Sequence, residues 1–246
     1  MKHIEIHPIP LVSIDAEYEK PKMTYLFNYG QNVNFYYYVW FLEAGAKKIL
    51  VDAGGTAEMA IALGRPRESV KHVQTLEEGF AKLGLKPVDI DIVILTHLHL
   101  DHLAYARQFT NAKFIVQEDE LNFARNPHPA GRFYEKGLFE GLDFEVVNGD
   151  YQITEGVKVL FTPGHTSGGQ SVAVETAKGI AVITGLCCIQ ENFQPSEEIR
   201  KVMPVIVPGV HLDVIKSYDS MIRIKEIADI IIENHDPRFA NVSKIP

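Results

Sequence analysis

The sequence predicts a mixed α/β (α+β) fold, with sheets packed together and helices outside. Three observations carry that reading. Short runs rich in β-branched and aromatic residues dominate each half of the chain. Segments with helical spacing lie among them. Hydrophobic residues make up 46% of the 246 positions against 23% charged, enough for a sizeable core and without the composition of a disordered chain.

The elements follow in order. KHIEIHPIPLVSI, FYYYVWFLEAG and KKILVDAGG read as strands, and alternate positions of FYYYVW must be core or interface. TLEEGFAKLG reads as a helix: Thr75 and Glu78 have capping-box spacing, Leu76, Phe80 and Leu83 share a face, and Gly84 closes the end. DIDIVILTH is a buried strand, KFIVQ another, and EDELNFARN a short helix. NPHPAGRFYEKGLFEGL, broken by proline and glycine, reads as a loop or lid-like excursion. Strands resume in FEVVNGD, GVKVLFTPG and QSVAVETAKGIAVITG. A late helix near DVIKSYDSMIRIKEIA places Val214, Ile215, Tyr218, Met221 and Ile222 at helical spacing, and ADIIIENHD is a final strand. No repeat, low-complexity tract or linker marks a boundary, so residues 1–246 read as one domain.

Charge and cysteine content narrow the function. A net charge of −8 argues against nucleic acid or an anionic membrane as the main partner, since both select basic patches. Two cysteines cannot make a disulfide framework, which makes a reducing compartment the default. MKHIEIHPIP has no apolar leader core, and no apolar run reaches the roughly 18 residues of a spanning helix. The expectation is a soluble, cytoplasmic protein.

The chemistry concentrates in THLHLDH, directly after the buried run DIVIL. Residues i and i+2 of an extended backbone point to the same side, so His97 and His99 can grip one ion. Asp101 and His102 lie past the strand end, where a turn can bring them beside a second. Imidazole and carboxylate suit zinc, and also iron or manganese. His165 in TPGH and His235 in ENHDP each follow a hydrophobic run. Alone, each would read as an ordinary loop histidine; beside the first cluster, they read as further ligands from other strand ends.

THLHLDH, TPGH and ENHDP, with VDAGG upstream, resemble the metallo-β-lactamase superfamily, in order and over essentially the whole chain. That resemblance implies a four-layer αββα sandwich with a metal site at one edge between the sheets, here a single domain over 1–246. It implies His97, His99 and His165 as ligands of a first metal, and Asp101, His102 and His235 as ligands of a second. It also implies that Asp52 helps hold the metal-binding loop, where a plain turn aspartate is the alternative. A finer likeness is to the N-acyl homoserine lactonase branch, through chain length, ENF at Glu191 to Phe193, and VPGVHLDVIKSYDSMIRIKEIA. His211, in that last stretch, either shapes the site or is a loop histidine.

The implied enzyme is a metal-dependent hydrolase holding one or two Zn2+ ions, with iron or manganese as substitutes. Metal-bound hydroxide attacks an ester-like bond, in the first instance a lactone such as an N-acyl homoserine lactone, which would make the protein quorum-quenching. Asp101 shuttles the proton to the leaving alkoxide. No GxSxG elbow offers a serine nucleophile. The alternatives are a thioesterase, an amide or phosphoester hydrolase, or a non-catalytic metal-binding relative. The partner is a small ester or lactone. Aromatics in MTYLFNYGQNVNFYYYVW, with Phe133 and Tyr134, would line an acyl pocket, pack in the core, or serve a homodimer.

One stretch departs from the family pattern. The strand matching IAVIT should end in an aspartate that bridges two metals; TGLCC stands there instead, with Gly185 or Leu186 at the aspartate's place. Two readings are open. Either Cys187 or Cys188 supplies a thiolate, or both are packing residues and the second metal is weak, absent or bridged only by hydroxide.

Overall fold

The computed structural model describes residues 3–131 and 133–246, apart from the side chains of residues 16 and 17. The chain opens with strands β1 (Ile6–Glu19), β2 (Asn32–Ala44) and β3 (Lys47–Val51). Helix α1 (Ala57–Ala62), strand β4 (Val70–His72) and helix α2 (Leu76–Lys82) follow. Next come β5 (Ile92–Ile94), β6 (Lys113–Gln117), α3 (Glu118–Arg125), α4 (Lys136–Phe139) and β7 (Phe144–Val147). The second half contributes β8 (Tyr151–Thr154), β9 (Val157–Phe161), β10 (Gln170–Thr176) and β11 (Gly179–Ile183). It closes with α5 (Gln190–Phe193), α6 (Glu197–Arg200), α7 (Val214–Ile227) and β12 (Ile230–Ile232).

Among the described residues these strands form two sheets, ordered β4-β1-β2-β3-β5-β6-β7 and β12-β11-β10-β9-β8. The first is antiparallel from β4 to β3 and parallel from β3 to β7. In the second, only β11 and β12 run parallel. Pro8 and Pro10 sit inside β1 without breaking it, because β4 pairs with β1 only over Val12–Ile14. At the prolines β1 is an edge strand, where a missing N–H loses no ladder bond.

Strand β2 shows how the layers form. Phe35, Tyr37, Val39 and Phe41 point to one side, packed with Ala60 of α1, Leu76 and Phe80 of α2, and Leu121 of α3. Tyr38, Trp40 and Leu42 point to the other, against Val159, Val172 and Ile183 of the second sheet. The far face of that sheet buries Leu160 and Val182 against Met221 and Ile224 of α7. Helix, sheet, sheet and helix give the four-layer αββα sandwich. Burial on both faces explains why FYYYVWFL is apolar at every position rather than at alternate ones. What stays exposed from the aromatic N-terminal region is Tyr25, Leu26 and Tyr29.

Helix α2 forms as its sequence predicts. Thr75 Oγ1 accepts from the Glu78 amide at 3.0 Å and Glu78 Oε2 from the Thr75 amide at 2.8 Å. Helix α7 keeps part of the expected face, with Met221 buried and Tyr218 and Ile222 packed against its cluster, and adds two serines to it. Its buried residues are Ser217, Ser220, Met221 and Ile224, while Ile215 is 70% exposed and Val214, Tyr218 and Ile222 are half-buried. The helix docks on a turn too close for large side chains, and Ser220 Oγ donates to the Pro163 carbonyl there at 2.7 Å. The expected loop at 126–142 contains α4, which buries Phe139.

Candidate metal centre

Strands β3, β5, β9, β11 and β12 all end at one edge of the sandwich, and the titratable side chains gather past those ends. His97 and His99 follow β5, with His99 extended at φ −69° and ψ 151°. A 3-10 turn over Leu100–His102 then carries Asp101 and His102 back toward the site. His165 comes from the β9–β10 loop and His235 from just past β12.

The structure brings all six predicted residues together as two triads, His97/His99/His165 and Asp101/His102/His235. Within each, the candidate ligand atoms lie within 4.8 Å of one another. His97 Nε2 and His165 Nε2 approach to 3.3 Å, and the His97 and His102 rings lie 4.0 Å apart, so the triads adjoin. The histidines are buried and Asp101 is half-buried.

Hydrogen bonds fix which nitrogen faces the site. His165 Nδ1 donates to the Val210 carbonyl at 2.7 Å, His235 Nδ1 to the Tyr36 carbonyl at 2.9 Å, and His102 Nδ1 to Asp52 Oδ2 at 2.7 Å. A carbonyl oxygen can only accept, so in His165 and His235 Nε2 is left with a free lone pair, the arrangement that orients metal-bound imidazoles. His102 Nε2 is buried with no hydrogen-bond partner. An orphaned buried nitrogen is costly unless something binds it.

The electrostatics agree. Burial pushes His97 and His99 well below the usual histidine range, helped by the neighbouring imidazoles. Burial also pushes His165 and His235 down to about 4. His102 runs the other way: burial opposes its charge, but Asp52 and Asp101 outweigh it and hold its pKa at about 9. Four neutral imidazoles, one imidazole biased toward positive charge and a carboxylate form a donor set that fits a divalent cation.

Asp52 ties this edge together. Its backbone is left-handed at φ 62°, a conformation aspartate tolerates better than most residues. Its carboxylate accepts from the Thr96 amide at 2.7 Å, Thr96 Oγ1 at 2.9 Å, His102 Nδ1 at 2.7 Å and Asn234 Nδ2 at 2.8 Å. It therefore joins the loop before His97 to the strand end before His235.

Two supporting residues had no signal in the sequence. Asn234 also accepts from Trp40 Nε1 at 2.8 Å, which links the site to the core between the sheets. Glu120, fully buried in α3, accepts from the Leu98 amide at 3.0 Å, the Gly168 amide at 2.9 Å and Tyr134 Oη at 3.1 Å. It thus braces both histidine loops. His211 is turned to the Pro208 carbonyl at 2.7 Å and stacks edge-on with Tyr25, outside both triads.

Neither cysteine joins a triad. Cys188 packs with Leu160, Val182 and Met221 on the far side of the second sheet, its sulfur 3.1 Å from Thr184 Oγ1. Cys187 lines the cavity over the triads, but its thiol donates to Met23 Sδ at 3.7 Å and burial pushes its pKa up to about 12. A thiol held protonated is a poor ligand. Leu186 is buried in the same cluster as Cys188, and a Cβ at Gly185 would meet the Gln170 carbonyl oxygen at 2.0 Å.

A two-sheet sandwich with histidines converging on one edge defines a class. The sequence profile of the metallo-beta-lactamase superfamily matches residues 33–224, and the chain belongs to that superfamily. Among its relatives is an N-acyl homoserine lactonase of Bacillus cereus, 28% identical over 226 residues that cover 84% of each chain. The N-acyl homoserine lactonase AttM of Rhizobium radiobacter is 31% identical over 175 residues, 67% of this chain and 65% of that one. A solved N-acyl homoserine lactone hydrolase, with the product N-hexanoyl-L-homoserine bound at its catalytic metal center, superposes with a TM-score of 0.76. It is 25% identical and the match covers 97% of this chain and 95% of that one. The protein is a metal-dependent hydrolase.

Proposed function

We propose that this hydrolase opens lactones, with zinc as its metal. The observation that carries the reading is the pair of adjoining triads in a cavity walled by Phe35, Tyr37 and Phe133. The likeness to N-acyl homoserine lactonases over most of the chain supports the same substrate class.

His97, His99 and His165 would hold one ion, and Asp101, His102 and His235 a second. Zinc bound there would supply Lewis acidity toward a carbonyl and bring the pKa of a water down to about 7. The protein's own part is positional. Asp52 and the Val210 and Tyr36 carbonyls hold three imidazoles at fixed tautomers. Phe35 and Phe133 shield the carbonyl from bulk water. Burial keeps the Tyr37 phenol protonated, so it remains a hydrogen-bond donor inside the cavity. Asp101 Oδ2, 3.6 Å from His102 Nε2, takes up a proton and returns it to the alkoxide that leaves as the ring opens.

Residues 1–246 act in this reading as one hydrolase domain, since the ligands come from both sheets and span His97 to His235. The two free buried thiols suit the reducing cytoplasm. Among the described residues, no helix is long and apolar enough to cross a membrane.

The test is metal content by elemental mass spectrometry, together with proton release on adding N-hexanoyl homoserine lactone. We expect at least one zinc per chain and ring opening that falls more than about 100-fold in His97→Ala. Metal-replete protein that opens no lactone, yet cleaves a thioester, would replace this reading with a thioesterase.

A further inference from the structure

Helix α1 ends in a way that places an arginine at the cavity. Gly64 adopts φ 86°, its amide donates to the Ile61 carbonyl at 2.9 Å, and the Arg65 amide donates to the Ala60 carbonyl at 3.1 Å. This is the paired bonding of a Schellman termination, which needs a left-handed residue and reverses the chain immediately after it. Pro66 then restricts Arg65 to extended backbone. The side chain is half-buried and lines the same cavity as both triads.

Among the described residues Arg65 is paired with no counter-ion. The guanidinium carbon sits 4.3 Å from the centre of the Tyr18 ring, a cation–π contact. Among the described residues, no carboxylate lies within ion-pair distance of it and no side-chain hydrogen bond engages it. Glu19, which feels its charge, is paired with Lys22 at 2.5 Å. Arg65 is also the one lysine or arginine among the described residues lining the cavity. The other walls are largely aromatic or aliphatic, and the ligand set opposes five imidazoles with a single carboxylate.

A planar guanidinium with free donors in a mostly apolar cavity matches a carboxylate, which it can bind with two parallel hydrogen bonds. We infer that Arg65 determines specificity by binding an anionic group on the substrate, so that the preferred lactone carries a carboxylate. This inference rests on the lactone-hydrolase reading and narrows it.

The test uses metal-replete protein and two matched probes, 5-oxotetrahydrofuran-2-carboxylate and its carboxamide. For the wild type we expect kcat/KM for the carboxylate to exceed that for the amide by roughly 10–100-fold, the range of a charge-assisted pair. Arg65→Gln should erase that preference by lowering kcat/KM for the carboxylate at least tenfold more than for the amide, and Arg65→Lys should restore part of it. Equal rates on both probes in the wild type, or a loss in Arg65→Gln that is the same for both, would overturn the inference and leave the lactonase reading standing. If neither probe is opened, calorimetry with the ring-opened acid 2-hydroxyglutarate decides instead. Binding at least tenfold weaker in Arg65→Gln would uphold the anion site, and the lactonase reading would then stand or fall on N-hexanoyl homoserine lactone. Equal binding, or none, would overturn the anion site as well.

Discussion

At Gly185, one of the two places expected for a bridging aspartate, the fold leaves no room for a side chain. The Gly185 amide donates to Ser171 Oγ at 3.0 Å, and any Cβ would lie 2.0 Å from the Gln170 carbonyl oxygen and 3.1 Å from Thr96 Cβ. The start of β10 thus fills the space a side chain would need. Placing an aspartate here should harm the protein rather than repair it. Gly185→Ala and Gly185→Asp should each lower stability by about 1–3 kcal/mol, as overpacking does, and metal content should not rise in the aspartate variant. Urea unfolding and elemental analysis check both points; an aspartate variant as stable as the wild type and richer in metal would refute this account. The six ligand candidates were legible because metal chemistry restricts residue type and their spacing repeats at strand ends. Asn234 and Glu120 were not, since their roles depend on partners 182 and 48 residues away, at Asp52 and Gly168.

Among the elements, α7 shows where sequence pattern and docking diverge. Its apolar spacing picks out Ile215, which is exposed, yet the buried face takes in Ser217 and Ser220, because Gly164 approaches that turn so closely that a Cβ there would meet the Ser217 amide at 2.2 Å. The helix is further held by charge. Arg223 donates to Asp150 at 2.6 Å and to the Phe161 carbonyl at 2.9 Å, and Lys158 reaches Asp150 at 3.0 Å. Burial opposes the charge on Asp150, but Arg223, the Phe161 amide and Lys158 outweigh it and hold its pKa down at about 2, against an ordinary 3.8. A carboxyl depressed on folding stabilises above its unfolded pKa and loses that contribution as pH falls through the folded value. Asp150→Asn should therefore lose about 1 kcal/mol at pH 7, after allowing for its solvent exposure. The gap to wild type should narrow as pH drops from about 4 toward 2. Urea titrations across that range test this. A gap that persisted unchanged at low pH would point to packing instead. Helix α2, by contrast, was readable in full, since its capping box and terminal glycine are local.

For the whole molecule, the metal centre joins the two sheets. His97, His99 and His102 hang from the first and His165 and His235 from the second, so a bound ion clamps both against unfolding. Free ligand at a thousandfold excess over its Kd adds about 4 kcal/mol to the folded state. In a chain of this size that is on the order of 10 °C in melting temperature. Chelation should lower the melting temperature by that amount, and added zinc should restore it. No shift on chelation, with metal loss verified, would mean that the ions do not couple the sheets.

The layered architecture followed from local pattern, because apolar strands buried on two faces and helices with one apolar face have few other ways to bury what they expose to water. The sequence by itself also determined the type and approximate place of the six candidate donor residues. Only the tertiary structure decided that they divide into two triads with three imidazoles held by Nδ1 bonds to Asp52 and two carbonyls, that neither cysteine joins a triad, and that Arg65 reaches the cavity. The reason is physical: residue type and spacing are written locally, whereas the direction of a side chain depends on contacts among segments that are distant in sequence and meet only when the sheets close.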